Sequence, residues 1–148
     1  MAGASFEKEF LDTHNAYRKK HGSPPMTLSR EVCNSAQKWA DEWIKTKNAE
    51  KPHSNSEGYG ENIYRASTNP TAKQVVDKWY SEIQIYDFSK PGYQPKTGHF
   101  TQVVWKESTE LGVGVANDGK TYIVVGQYKL PGNINTPEYY EKNVTPAE

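Results

Sequence analysis

Leu111-Gly112-Val113-Gly114-Val115-Ala116, then Asn117-Asp118-Gly119-Lys120, then Thr121 to Tyr128, is the stretch in which the period of the chain changes. Leu111, Val113 and Val115 alternate with Gly112, Gly114 and Ala116, and a period of two belongs to strands. Asn117-Asp118-Gly119-Lys120 is a hairpin turn signal, because Asp-Gly accepts the backbone angles that a tight turn demands. Thr121 to Tyr128 then returns as the partner strand. Gly112 and Gly114 leave one face of the first strand bare, which suits a helix or loop packing close. Just upstream, Thr101 to Trp105 reads as a further short β-rich run.

Everything before that has helical spacing. Ser5 is placed to cap a first helix, with Glu7 and Glu9 in its first turn. Phe6, Phe10, Thr13, His14 and Tyr17 line one face, and His21-Gly22 with Ser23-Pro24-Pro25 stops it. Ser29 opens a second helix striped by Val32, Ala36, Trp39, Ala40 and Trp43, running out near Lys45 to Asn48. Asn48 to Gly60 is a polar loop. Thr71-Ala72-Lys73-Gln74 is a capping box that starts a third helix, with Ala72, Val75, Val76, Trp79 and Ile83 as its stripe. It ends before the Ser89-Lys90-Pro91-Gly92 turn. Helices followed by a hairpin predict an α+β layered domain, and 148 residues fit one domain, 1–148.

Lys plus Arg and Asp plus Glu both number 18, so the formal charge is zero and no chain-wide basic footprint for nucleic acid exists. Hydrophobic residues are 34%, but 4 Trp, 10 Tyr and 4 Phe supply much of the apolar area for a core. No apolar run is long enough to span a bilayer, and Met1 to Phe10 has no signal-peptide core. Cys33 is the single cysteine, so no intrachain disulfide forms and a reducing compartment is expected. Cys33 itself reads as a small buried hydrophobe.

Glu82, three residues after Trp79, shares the flank of the third helix's apolar stripe. A carboxylate there needs a cation, a donor or a metal unless it reaches solvent or pairs along the helix. His53 in the loop, Glu61 in Gly58-Tyr59-Gly60-Glu61-Asn62, and His99 in Gly98-His99-Phe100 add two imidazoles and a second carboxylate. Together with Glu82 they have the composition of a divalent metal site, imidazoles ligating and carboxylates orienting. No H-E-x-x-H or C-x-x-C spacing fixes that geometry, so ordinary loop histidines are the competing reading.

Gly98-His99-Phe100-Thr101-Gln102-Val103-Val104-Trp105 resembles in full the G-H-F-T-Q-hydrophobic-hydrophobic-W signature of the CAP superfamily (cysteine-rich secretory proteins, antigen 5 and pathogenesis-related 1). His14-Asn15-Ala16-Tyr17-Arg18 is similar to its H-N-x-x-R motif, and Gly60-Glu61-Asn62-Ile63 to its G-E-N element. Val124-Val125-Gly126-Gln127-Tyr128 through Gly132-Asn133-Ile134 resembles its last motif in part. Gly126 stands where secreted members carry cysteine, Leu130 stands where they carry Pro, Ala, Arg or His, and their six or more cysteines are missing. The chain therefore looks most like the intracellular, Golgi-associated branch.

That resemblance implies a three-layer α-β-α sandwich around a central, mainly antiparallel sheet. It implies a cleft tetrad of His53, Glu61, Glu82 and His99, with His53 and His99 as ligands of zinc or another divalent metal. It gives His14 and Arg18 a chiefly structural role. Tyr86-Asp87-Phe88-Ser89-Lys90-Pro91-Gly92-Tyr93 has the aromatic spacing of the loop that relatives use for sterols. A Pro-Gly loop bearing Tyr86, Phe88, Pro91, Gly92 and Tyr93 can present flat apolar surface to a ring system or bilayer interface, or its aromatics can tie it to the core.

The expected function is non-enzymatic binding of membrane lipids or sterol by a cytoplasmic protein peripheral to Golgi or other membranes. A homodimeric protein-interaction module is one alternative, and a metal-dependent hydrolase using the His/Glu cleft is another. The intracellular branch is aided by myristate on a Gly in second position. The sequence here reads Met1-Ala2-Gly3, so that modification is not expected. Asn143-Val144-Thr145 is a glycosylation sequon, relevant only in secretion.

Overall fold

Strands β3 (Glu110–Asn117) and β4 (Tyr122–Lys129) form the antiparallel hairpin that the alternation predicts, with Gly112 opposite Gln127 and Gly114 opposite Val125. The computed structural model describes residues 3–46, 58–134 and 136–147. Strand β2 (Gly60–Ala66) pairs antiparallel with β4, and the two-residue β1 (Thr27–Leu28) pairs parallel with β3. The sheet order is β1-β3-β4-β2, mainly antiparallel.

Alternation along β4 separates two cores. Ile123 and Val125 face α2 (Arg30–Thr46), where Ala36, Ala40 and Trp43 cover them. Val124 and Tyr128 face the other side, against α1 (Ala4–Lys20), α3 (Ala72–Tyr80) and α4 (Gly98–Val104). Phe10, Trp79, Phe100 and Val103 fill that second core. The result is helix, sheet, helix: the α-β-α sandwich.

The bare face at Gly112 and Gly114 carries α2 directly. A Cβ on Gly112 would lie 2.3 Å from the Cys33 nitrogen, and one on Gly114 would lie 2.4 Å from the Gln37 backbone. Cys33 is buried and free beneath this contact, as its composition suggested. Gly126 faces the other core, where Phe10 and Trp79 rings come within 3.0 and 3.2 Å of where a Cβ would sit. Those rings fill the space that a cysteine side chain would need.

Local signals fare unevenly. The Thr71 capping box forms as expected: Gln74 N–H donates to Thr71 Oγ1 at 3.1 Å, and Thr71 N–H donates to Gln74 Oε1 at 2.9 Å. Ser29 Oγ accepts from Val32 N–H at 3.3 Å, just ahead of α2. Ser5 does not cap α1, because the helix begins one residue earlier, with Gly3 in the capping position. Ile83 and Glu82 lie in a 3-10 turn, Ser81–Gln84, rather than in α3 itself.

Thr101 to Trp105 is not a strand. Thr101 to Val104 belong to the helix α4 and Trp105 caps it, and Phe100 through Trp105 are all buried. A short apolar run enclosed on every side carries no amphipathic period, so its β-branched residues mislead. A further helix, α5 (Pro137–Asn143), was not expected. Its Asn143 is 0% exposed, with its amide donating to the Tyr139 carbonyl and its oxygen accepting from Glu107 N–H.

Candidate functional site

The His14-to-Arg18 turn of α1 anchors the site. Arg18 is 0% exposed and has no carboxylate partner among the described residues. Its Nε donates to the Pro24 carbonyl at 2.9 Å, and its two terminal nitrogens donate to the carbonyls of Val103, Trp105 and Ser108 at 2.8–3.0 Å. A cation is thereby placed on the C-terminal end of α4, where orphaned helical carbonyls collect negative charge. Burial lowers its pKa to about 10, so it stays charged at neutral pH. Asn15 and Met26 exchange two hydrogen bonds that fix the chain entering β1.

His14 starts a relay toward the cleft. Its Nδ1–H donates to the Phe10 carbonyl at 2.8 Å, which leaves Nε2 to accept from the Tyr128 hydroxyl at 2.7 Å. Tyr128 accepts in turn from the Asn62 amide, which also donates to the His99 carbonyl at 3.1 Å. Helix α1, strands β4 and β2, and the first turn of α4 are thus joined through three buried side chains.

Burial holds the His14 pKa down at about 3, against 6.5 in water. Because the folded value is the lower one, His14 is neutral in both states above pH 6.5. Between 6.5 and 3 only the unfolded chain takes the proton. Stability should therefore fall as pH drops through that window, by at most about 1.4 kcal/mol per pH unit from this group. Urea titrations at pH 7.0 and 4.5 test it, and His14→Gln should flatten the dependence. A wild-type midpoint unchanged between those two pH values would contradict the assignment.

Three of the four tetrad residues lie on the walls of one cavity. Glu82 accepts from His99 Nδ1 at 2.9 Å with one oxygen and from Phe100 N–H at 3.0 Å with the other. This supplies the donors that a carboxylate beside the core needs, one of them a free N–H in the first turn of α4. The His99 ring stacks parallel to Trp79, with centroids 6.1 Å apart. Glu61 accepts from the Gln127 amide at 2.6 Å. Glu61, Asn62, Glu82, His99, Lys96 and Tyr93 border a cavity of about 510 Å³. His53 lies outside the described residues.

The aromatic loop divides its labour. Tyr86 is buried and Phe88 half-buried, and their rings lie 5.6 and 6.2 Å from Phe100. Gln94 ties the loop's two limbs by bonding Asp87 N–H and the Asp87 and Lys90 carbonyls. Pro91 and Gly92 are half-buried at the bend. Tyr93 is 65% exposed at the cavity rim. Two of the three aromatics therefore tie the loop down, and one is offered to solvent.

Asn133 lies in the Gly132-Asn133-Ile134 motif, and its spacing announces no role. Its amide donates to the Gly98 carbonyl at 2.9 Å and its oxygen accepts from the Thr101 hydroxyl, which clamps the first turn of α4 beside His99. Asn62 and Tyr128 likewise sat inside matched motifs. Nothing in their spacing announced that they meet.

Residues 11–128 match the CAP family, described as the cysteine-rich secretory protein family. The human Golgi-associated plant pathogenesis-related protein 1 is 40% identical over 150 residues, covering 99% of this chain and 97% of that protein. Among solved structures, BmVAL-1 superposes with a TM-score of 0.75 at 20% identity, covering 95% of this chain and 84% of its own. The structure of NaASP2 with Zn2+ superposes with a TM-score of 0.73 at 25% identity, covering 94% and 86%.

Proposed function

The chain belongs to the CAP family, and on that footing we propose that it binds lipid or sterol without catalysis, attaching to membranes peripherally. The observation that carries this reading is Tyr93, an exposed aromatic held at the cavity rim by a loop whose other aromatics are anchored. Ile85, just ahead of the same loop in sequence, is a further exposed apolar side chain. Aromatic tips of this kind favour the polar–apolar boundary of a bilayer. Among the described residues no helix is long and apolar enough to cross a membrane. The name of the human relative supports placing the protein at the Golgi or another membrane.

The disposition of the carboxylates favours binding over hydrolysis. Each oxygen of Glu82 already accepts one hydrogen bond, from His99 or Phe100, and one oxygen of Glu61 accepts from Gln127. A general base needs an oxygen directed at the attacking water. Zinc fits one side of the cleft: with Nδ1 bonded to Glu82, the His99 Nε2 lone pair is the one available to a metal. The Zn2+ in the NaASP2 structure supports this, with His53 as the second ligand that the family resemblance supplies. Among the described residues no group of three or more His, Cys, Asp and Glu is placed to hold a metal. A bound zinc would supply Lewis-acid attraction for an anionic or hydroxyl headgroup.

Vesicle co-sedimentation with neutral, anionic and sterol-containing liposomes, with and without zinc, tests the proposal. Tyr93→Ala should weaken binding several-fold and leave the thermal midpoint unchanged, because its ring lies largely in water. Tyr86→Ala should instead cost stability, on the order of 3 kcal/mol for a buried aromatic. No sedimentation with any vesicle, together with a concentration-dependent dimer, would turn the reading to a protein-interaction module.

A further inference from the structure

Beside the cleft, and sharing Glu82, Lys96 and His99 with it, lies a second groove of about 450 Å³. Ile63, Tyr64 and Arg65, consecutive residues of β2, all border it. Successive strand side chains point to opposite faces, so three in a row can reach one groove only where the strand's edge forms its wall. Strand β2 ends the sheet, and β4 is its one strand partner among the described residues. A terminal strand presents a row of N–H and C=O groups on its outer side, spaced for another strand.

The facing wall is the end of α3 with the 3-10 turn, and its charge is biased. Lys78 and Lys96 border the groove, and neither forms an ion pair with a described residue. On the β2 side, the Arg65 guanidinium lies 5.6 Å above the Trp43 ring, a third positive charge with no acidic partner among the described residues. Glu82 is the acidic side chain on this groove, and its oxygens are already bonded to His99 and Phe100. Ile85, 58% exposed, supplies an apolar contact on the same wall.

We propose that this groove takes an extended acidic peptide, which adds as a strand to the outer edge of β2 while its carboxylates meet Lys78 and Lys96. Main-chain hydrogen bonds to β2 supply affinity, and alternate side chains reading the lysine-bearing wall supply specificity. A peptide is favoured over a bilayer because the groove is concave and because a strand edge needs partners at strand spacing. Seven residues of β2 give an edge of roughly 23 Å, long enough for about six peptide residues.

The test uses the full 15N-labelled chain and an acetylated hexapeptide amide alternating valine and glutamate. Binding should shift amide resonances along Gly60–Ala66. The valine–lysine counterpart should bind at least tenfold more weakly, and so should the acidic peptide N-methylated at alternate residues. Lys78→Glu with Lys96→Glu, both surface changes, should weaken the acidic peptide about tenfold with an unchanged melting temperature. Equal binding of the N-methylated peptide, or shifts lying away from β2, would overturn the proposal. So would β2 shifts that depend on protein concentration alone, which would make a second copy the occupant. Loss of phosphatidylserine-vesicle binding in the double variant without any peptide binding would assign the lysines to membrane and overturn it equally.

Discussion

Arg18→Met should lower folding stability by about 4 kcal/mol or more, most of the reserve of a domain at the lower end of ordinary stability. The side chain is wholly buried and donates to four carbonyls from three separate segments: Pro24, Val103 with Trp105, and Ser108. Methionine fills much of the volume but leaves those acceptors without donors, at about 1–3 kcal/mol for each one that water cannot reach. Arg18→Lys should rescue little. A lysine ammonium is a single point with three donors, whereas the guanidinium reaches opposite directions at once. Equilibrium urea unfolding measures both variants. A loss below 1 kcal/mol for Arg18→Met would mean that water or repacking satisfies the carbonyls. Any variant that still folds should show its largest amide shifts in α4, including His99, because Arg18 holds that helix by its C-terminal end.

Gly112→Ala and Gly114→Ala should each destabilise by about 3 kcal/mol, the upper end for overpacking, although each adds one methyl group. The added Cβ would meet main-chain atoms of α2 at 2.3–2.4 Å, in both cases backbone rather than a pliable side-chain end. Relief requires lifting α2 from the sheet, which opens the contact between Ala36, Ala40, Trp43 and the pair Ile123 and Val125. Gly119→Ala provides the comparison. Its Cβ meets nothing, but its φ of +89° strains any other residue, so a loss of about 1 kcal/mol is expected. Thermal or urea melts of the three variants give the ranking. Gly112→Ala no worse than Gly119→Ala would contradict the close approach.

Those glycines also show why parts of this molecule were readable in advance. A missing Cβ at alternate positions of a strand is written directly in the sequence, and its meaning is local. The Thr71 capping box is local too. Helix α4 was not readable by period, because Val103, Val104 and Trp105 are enclosed on all sides and their β-branching points to a strand. The four acceptors of Arg18 lie up to 90 residues away in sequence, so a motif could flag the arginine and not its partners. In the loop, aromatic spacing identified Tyr86, Phe88 and Tyr93 as a set. It could not separate the two that pack on Phe100 from the one that faces water, because that depends on where Phe100 comes to rest.

The sequon at Asn143 can be read by a glycosyltransferase only on a chain that has not finished folding. Once α5 docks, the amide nitrogen that would carry the sugar is inside the protein and already donating to Tyr139. A glycan attached earlier could not be accommodated there, and Glu107 N–H would lose its acceptor along with the helix. Directed into the secretory pathway, this chain would face a race between modification and closure of its last helix. The sugar-bearing fraction would be the fraction that failed to close.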